Sequence, residues 1–500
     1  MIPNQPHHVR RIFLTPFIAS RRSVFLFACT CLFTNHPRTF HSFAFNPVST
    51  VNYTGVLHTS SSSSSSSYSY SKPAFTTLLN SMSTAFSSSS AAASPAAAST
   101  VELATGGVLA KLRSKMKEFD LDAFLVPSDD PHLSEYTAMA YRRRAFVSKF
   151  TGSAGTALIL ADDVIVSNDD EDSEEEKEDM AEVEGHEAVG YKNALLWTDS
   201  RYFNEAGMQL DFEHWTLMKQ GQKKTPTITA FLTKLAKEKK NGEGKFRVGI
   251  DAFVHSASFC KELNEALEKE NGIVCPLEEL GQTVNLVDEI WGDSRPALPS
   301  SAFRVHPLEY AGASVSDKLS SIRKKMKKLD ATLSVFSTLD DVAYLLNVRA
   351  SDVECNPVGV AYCTVSMDSA TLYCDESSKL TDDGVRDQLR DAGVVVAPYE
   401  TLLDDVRNHV AEENSKVWVD TAHSNYAIAS VIPKDSLIDK QNAVTPMKAC
   451  KNENEMDGMR KAHIVDGVAM AEFMEWLENE GKSNYMFVYG KCCRFQMSRC

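Results

Sequence analysis

LRSKMKEFDLDAFLVPSDD, residues 112–130, is answered 210 residues later by IRKKMKKLDATLSVFSTLDD, residues 322–341. Arg113 aligns with Arg323, Lys115 with Lys325, Met116 with Met326, Lys117 with Lys327 and Asp120 with Asp330, and apolar positions answer apolar positions. One structural unit is used twice. In each copy the apolar residues ahead of the shared aspartate recur every three to four residues with lysines between them, which predicts an amphipathic helix with a solvated basic face. A strand follows, AFLVP in the first copy and ATLSVF in the second. Next comes a turn rich in Ser, Thr and Asp, suited to cap a helix over SEYTAMAY in one copy and LDDVAYLLNV in the other.

Farther out, GSAGTALIL and ALLWTDS answer to GVAYCTVSM and ATLYCDES, with the hairpin-and-return rhythm of a mixed sheet. The expected class is α/β, with two α/β domains in tandem at 103–300 and 314–445 and the Pro-containing stretch Ser294–Pro307 as their link. A third element opens near Lys448. Over 448–480 the apolar positions Met456, Met459, Ile464, Val468, Met470 and Phe473 predict a long amphipathic helix.

The first hundred residues differ in kind. Eight serines run from Ser60 to Ser67 and four more from Ser87 to Ser90, too little apolar material to offset chain entropy. Residues 1–50 hold four arginines by Arg22 and no Asp or Glu, a targeting composition. The apolar stretch Val24–Phe33 falls short of the roughly 20 residues that span a bilayer, and no later segment is long enough, so no membrane span is expected. SFAFNP, Ser42–Pro47, resembles the aromatic-centred motif of plastid precursors in algae with secondary plastids. Plastid or mitochondrial import stands beside the alternative of a disordered leader on a cytoplasmic protein, with Met82 as an internal start.

The net charge of -15 is local. Between Asp169 and Glu187 twelve acids against one lysine supply -11 of it, which leaves -4 elsewhere. The run reads as a solvated loop between two strands rather than as a polyanion mimic. The eleven cysteines form no C-x-x-C pair and no zinc-spaced cluster, and those such as Cys363 and Cys374 read as reduced core thiols. Arg142, Arg143 and Arg144 are too short a cluster for nucleic-acid recognition without an aromatic platform. His132 in SDDPHLSEY has no second histidine nearby and reads as part of a turn and cap rather than a metal ligand. His463 sits on the long helix as a structural or substrate-flanking residue. Ser153 in TGSAGT lacks the G-x-S-x-G pattern of a nucleophile elbow, and Cys355 lies in a turn before Asn356 and Pro357 with no partners for nucleophilic chemistry.

Four stretches in order, RRRAFVSKFTGSAGTALIL (142–160), WTDSRYF (197–203), NLVDEIW (285–291) and EMDGMRKAH (455–463), resemble the three-domain Xaa-Pro aminopeptidases. LMKQGQKKTPT (217–227) and LDDVAYLLNVRASDVECNP (339–357) extend the likeness to about residues 105–480. The resemblance implies two creatinase N-terminal-like domains followed by the first helix of a pita-bread domain. It implies removal of the first residue of a peptide whose second residue is proline, with two divalent metals, usually manganese, bridged by carboxylates and a histidine. It also implies a homodimer, a peptide substrate, and no nucleic-acid or membrane partner. Of the family's functional residues, the arginine of W-T-D-x-R maps onto Arg201, where it projects toward bound peptide. The family's metal ligands fall well after the opening helix, whereas GKSNYMFVYGKCCRFQMSRC (481–500) contains no Asp, Glu or His. No catalytic or metal residue is therefore expected in this chain, which would be inactive alone. Its last stretch has the character that a shifted reading frame or retained intron gives. Two non-catalytic readings stay open: a peptidase-like binding module of the histone-chaperone kind, and a dimerisation partner of a full-length enzyme.

Overall fold

The two matched segments form the same structure for the same reasons. In helix Thr105–Glu118 the buried residues include Val108, Leu109, Leu112 and Met116, and in helix Val315–Leu329 they include Val315, Leu319, Ile322 and Met326, the spacing of one helical face. Both helices end on the shared aspartate in the left-handed region, Asp120 at φ 54° and Asp330 at φ 56°, a conformation that Asp tolerates. The next backbone N–H, of Leu121 or Ala331, then closes onto the carbonyl of Met116 or Met326 at 3.0 Å in both copies. Arg113 Nε donates to Leu160 O at 2.9 Å and Arg323 Nε to Ser366 O at 3.0 Å, each the last residue of a strand.

The structure is a computed structural model that describes residues 105–164, 191–239 and 244–481. The Ser-rich leader, the acidic run 169–187 and the tail from residue 482, with Cys492, Cys493 and Cys500, lie outside the described residues. Strands β1 (Ala123–Val126), β2 (Thr156–Leu160), β3 (Ala194–Thr198), β4 (Thr216–Lys219), β5 (Phe246–Ile250) and β6 (Gly272–Pro276) make one sheet in the order β4-β3-β2-β1-β5-β6. In the second half, β7 (Arg304–Val305) pairs with β9 (Val348–Arg349). The second six-stranded sheet takes β8 (Leu333–Phe336), β10 (Tyr362–Ser366), β11 (Ala370–Tyr373), β12 (Val394–Ala397), β13 (Val417–Val419) and β14 (Leu437–Asp439) in the order β12-β11-β10-β8-β13-β14. Each central strand pairs antiparallel with the next strand of its sheet on one side and parallel on the other, β1 with β2 and β5, β8 with β10 and β13. The two sheets therefore share one topology.

Both sheets are covered on both faces, as fully buried strands require. Along β1, Phe124 and Val126 enter one apolar cluster and Ala123 and Leu125 the other. Phe124 is fully enclosed, so truncating it to alanine would cost about 3–5 kcal/mol. The extra length of the first copy lies mainly between β2 and β3, where residues 161–193 stand in place of 367–369.

One expectation is corrected. SEYTAMAY does not form a helix; after bends it becomes a 3-10 turn over Met139–Tyr141, followed by helix Arg143–Ser148. The cause is Asp130, whose Oδ1 accepts from the backbone N–H groups of His132 (2.9 Å) and Ser134 (3.1 Å) and holds a turn where the second copy has helix Leu339–Leu345. Helix Phe203–Gln209 begins after Tyr202 with no side-chain cap. The expected long helix is present as Glu453–Gly481, opened by a reciprocal cap between Asn452 and Glu455, and most of its apolar stripe faces solvent in this chain. Met459, Ile464, Val468 and Met470 are exposed, and Phe473 is covered. No helix of the described residues is long and apolar enough to cross a membrane.

Candidate functional site

Arg201 stands on the turn that leaves β3. Thr198 Oγ1 donates to Ala154 O at 2.7 Å and pins the strand end to the neighbouring loop. Asp199 Oδ1 accepts the backbone N–H of Arg201 at 3.0 Å, an Asx turn, and its carboxylate grips the same side chain through Nε (2.9 Å) and Nη2 (2.7 Å). The hydrogen bonds to Arg201 hold the Asp199 carboxyl below its ordinary range, and Asp199 in turn raises Arg201. The guanidinium packs on the Tyr202 ring with its carbon 5.2 Å from the centroid. More than half of the side chain is exposed, and Nη1 has no side-chain partner among the described residues. A rigid, pre-aimed donor facing solvent is what recognition of a carbonyl or carboxylate needs.

The loop behind this turn is held by an arginine that sequence reasoning discounted. Arg144, 5% exposed, donates from Nη1 to Ser128 Oγ (2.6 Å) and Gly155 O (3.2 Å) and from Nη2 to Gly152 O. Burial pulls its pKa down to about 10. Gly155, at φ +152°, leaves no room for a side chain: a Cβ would lie 2.7 Å from Trp197 O. Ser153 Oγ meets Tyr202 OH at 2.5 Å, so the serine braces the turn rather than joining a nucleophilic triad.

The two repeats meet through equivalent loops. Ala257 N–H donates to Ser424 O (3.0 Å) and Tyr426 N–H to His255 O (2.8 Å); Ser258 N–H donates to Thr421 O (3.0 Å) and Ala427 N–H to Ala252 O (3.0 Å). Adding 169 to each residue of the first copy gives its counterpart in the second, so every bond has a reciprocal twin. Ser256 and Asn425 cap the two helices that start there. His255 is buried in this seam, and desolvation lowers its pKa to about 4.

His132 sits in the expected turn, and its ring also enters the second repeat. Its Nδ1–H donates to Ser337 O at 2.7 Å, which leaves Nε2 to accept from Tyr399 OH at 2.9 Å and fixes one neutral tautomer. The ring lies 4.3 Å from that of Tyr362, and Pro131 O accepts from Tyr362 OH (3.0 Å) and Asn425 Nδ2 (2.7 Å). Complete burial lowers the His132 pKa. Both ring nitrogens are engaged, so this histidine is no metal ligand.

A cavity of about 320 Å³ opens beside the seam. Arg143, the second discounted arginine, lines it and is 7% exposed. It forks onto Asp288 with Nε and Nη2, both at 2.7 Å, and Arg295 Nη1 reaches the same carboxylate at 2.8 Å. Asp251, bonded to Asn285 Nδ2 at 2.7 Å, and Glu278 stand in the same wall. Burial, then the charge of Asp251, raises Glu278 to about 7.

Cys355 and Cys450 are exposed, and Cys260, Cys275, Cys363 and Cys374 are buried, all six as free thiols. Burial raises Cys363 and Cys374 to about 12, which makes them inert. His463 is exposed on the long helix. Among the described residues no three His, Cys, Asp or Glu side chains stand together as metal ligands would.

A six-stranded mixed sheet used twice, with an antiparallel strand beside the central one and, in the first copy, a W-T-D-x-R turn at the end of the third strand, defines a class, and the comparisons name it. Creatinase/Prolidase N-terminal domain models match residues 109–284 and 294–455, and the chain belongs to that family through both repeats. It is similar to the probable Xaa-Pro aminopeptidase P of Talaromyces marneffei, with 36% identity over 379 residues, covering 74% of this chain and 51% of that protein. Against the probable Xaa-Pro aminopeptidase P of Pyrenophora teres f. teres the identity is 37% over 381 residues, covering 74% and 51%. Among solved structures it resembles the X-prolyl aminopeptidase of Caenorhabditis elegans, a cytosolic enzyme with a di-nuclear active site. That match has 30% identity and a TM-score of 0.64, and covers 76% of this chain and 57% of that one. The chain spans about half the length of the curated relatives it matches.

Proposed function

We propose that this chain is the non-catalytic, peptide-facing part of an Xaa-Pro aminopeptidase and that Arg201 is its contact with peptide. The observation that carries the reading is the continuous likeness to Xaa-Pro aminopeptidase P proteins over 74% of the chain. An Xaa-Pro bond has no amide N–H at the scissile position, so the enzyme must hold its substrate by carbonyls and termini. A guanidinium fixed by Asp199 with one donor edge in solvent suits that task.

The described side chains do not fit a pair of metal ions, since His132 spends both nitrogens on protein partners and no ligand cluster forms among them. No step of hydrolysis is therefore assigned to them. In our reading two divalent ions, Mn²⁺ by family habit, belong to a pita-bread domain that helix Glu453–Gly481 opens, and its exposed stripe is the face that domain covers. The reading extends to a homodimer and to import into a plastid or mitochondrion, the latter supported by the acid-free leader.

The test joins this chain through residue 480 to the metal-binding domain of one of the fungal relatives. Mn²⁺-dependent release of the first residue from an Xaa-Pro peptide is expected, with Arg201→Ala lowering kcat/KM by at least about tenfold, the worth of a charged hydrogen bond. A folded chimaera that ignores Xaa-Pro peptides would overturn the reading. Metal-dependent turnover by the full chain alone would overturn its non-catalytic part.

A further inference from the structure

The cavity beside the seam holds more charge than packing requires. Arg143 spends Nε and Nη2 on Asp288, while its Nη1, buried, has no hydrogen-bond partner among the described residues. An unmet buried donor on a charged group destabilises the fold, so such an atom on a residue that lines a cavity signals a missing acceptor. Arg295 shares Asp288 and also donates Nε to Ala140 O at 2.9 Å. The two guanidinia flank the Tyr141 ring at 5.6 and 5.8 Å, and with one carboxylate between them they keep a surplus positive charge. On the other part of the wall Asp251 and Glu278 bring two carboxyl groups together; Asp251 is held by Asn285 Nδ2 and by the Phe253 N–H at 2.9 Å, and Glu278 receives a longer contact of 3.4 Å from Ala252 N–H. Phe253, Leu277 and Val284 supply apolar lining.

We infer that this cavity binds a free α-amino acid. Its carboxylate accepts from Arg143 Nη1 and Arg295, its ammonium donates to Asp251 and Glu278, and a small apolar side chain lies against Val284 and Leu277. A volume of about 320 Å³ accommodates such a molecule with some water. A simple anion would leave the acidic wall facing its own kind, and a simple cation would leave Arg143 unmet. Pro131 and Tyr399 bring both repeats to the rim, so an occupant would also tie the repeats together. The inference stands apart from the peptidase reading, since it needs no turnover.

Calorimetric titration of the full chain with L-proline and L-leucine tests it, with acetate and methylamine as half-ligands. Saturable binding of at least one amino acid below about 10 mM is expected, with both half-ligands at least tenfold weaker. Glu278→Gln and Arg295→Gln should each weaken binding about tenfold, and both positions lie near enough to solvent to leave folding intact. Arg143→Met should abolish binding, with the other two variants carrying the test if it misfolds. Absence of binding at 10 mM overturns the inference. Acetate matching the amino acids, or affinities indifferent to Glu278 and Arg295, does so as well.

Discussion

The two repeats share a topology but treat buried charge in opposite ways. In the second, Lys379 and Asp352 are 2% and 0% exposed and form a closed network. Asp352 Oδ1 accepts from Ser301 N and Oγ, Oδ2 from Val360 N and Lys379, and Lys379 also reaches Ser301 O. Burial alone would raise the Asp352 carboxyl, yet Lys379 and these donors hold it below its ordinary range. In the first repeat Arg143 and Arg144 are buried with Nη1 and Nε, respectively, unmet. A closed network fastens the chain; an open one keeps a donor in reserve beside a cavity. The cost of the reserve falls on stability, and its return falls on recognition.

The contrast predicts a graded set of effects. The largest is Asp352→Ala, which strands a buried Lys379 and should lower unfolding free energy by about 3–5 kcal/mol in urea, against about 1–3 kcal/mol for Asp288→Ala beside the cavity. Equal losses would erase the distinction between closed and open networks. His132→Ala should cost about 2–4 kcal/mol and split one unfolding transition into two as the repeats part, whereas Tyr399→Phe should cost about 1 kcal/mol.

Acid sharpens the comparison at the seam. The folded-state pKa of His255 is about 4, below the ordinary 6.5, so the unfolded chain takes up the proton first. Its stability contribution is complete above pH 6.5, declines below it, and is lost by about pH 4, an effect of about 3 kcal/mol. Glu278, raised to about 7 from 4.5, acts in the other direction, adding stability as pH falls through that interval. The difference between wild type and His255→Gln across pH 4–6.5 isolates the histidine; a flat difference would exclude it. The smallest effects compare equivalent positions. Arg113→Ala and Arg323→Ala should each cost about 1 kcal/mol, because each makes the same strand-end bond, and Arg201→Ala should change stability by less than about 0.5 kcal/mol.

The sheets were readable in the sequence because helix spacing, the shared Asp120 and Asp330, and the hairpin rhythm are local signals. The turn that carries Arg201 was readable as W-T-D-x-R, where Asp199 and Arg201 lie close in sequence. The seam was not. It rests on backbone bonds between DAFVHSAS (251–258) and DTAHSNYA (420–427), which have little in common beyond an aspartate and a capping residue five positions later. The turn at His132 was legible, but the contact of its ring with the second repeat was not, because the partners lie 205 and 267 residues away. Arg143 and Arg144 were weighed only as a cluster too short for nucleic-acid recognition, and their burial was not legible because a run of arginines ordinarily faces water. The one available clue was that they open an otherwise apolar stretch, AFVSKF.

The reciprocal bonds at Ser256 and Asn425 give the chain an isologous contact between two parts of itself. Such a contact is self-complementary by construction, so it would have served two separate copies of a single ancestral repeat equally well. The tandem is in this sense a homodimer whose subunits became covalently joined. Once joined, the halves no longer had to remain identical. One could turn its loop into a plug carrying His132, and the other could become the socket that receives it.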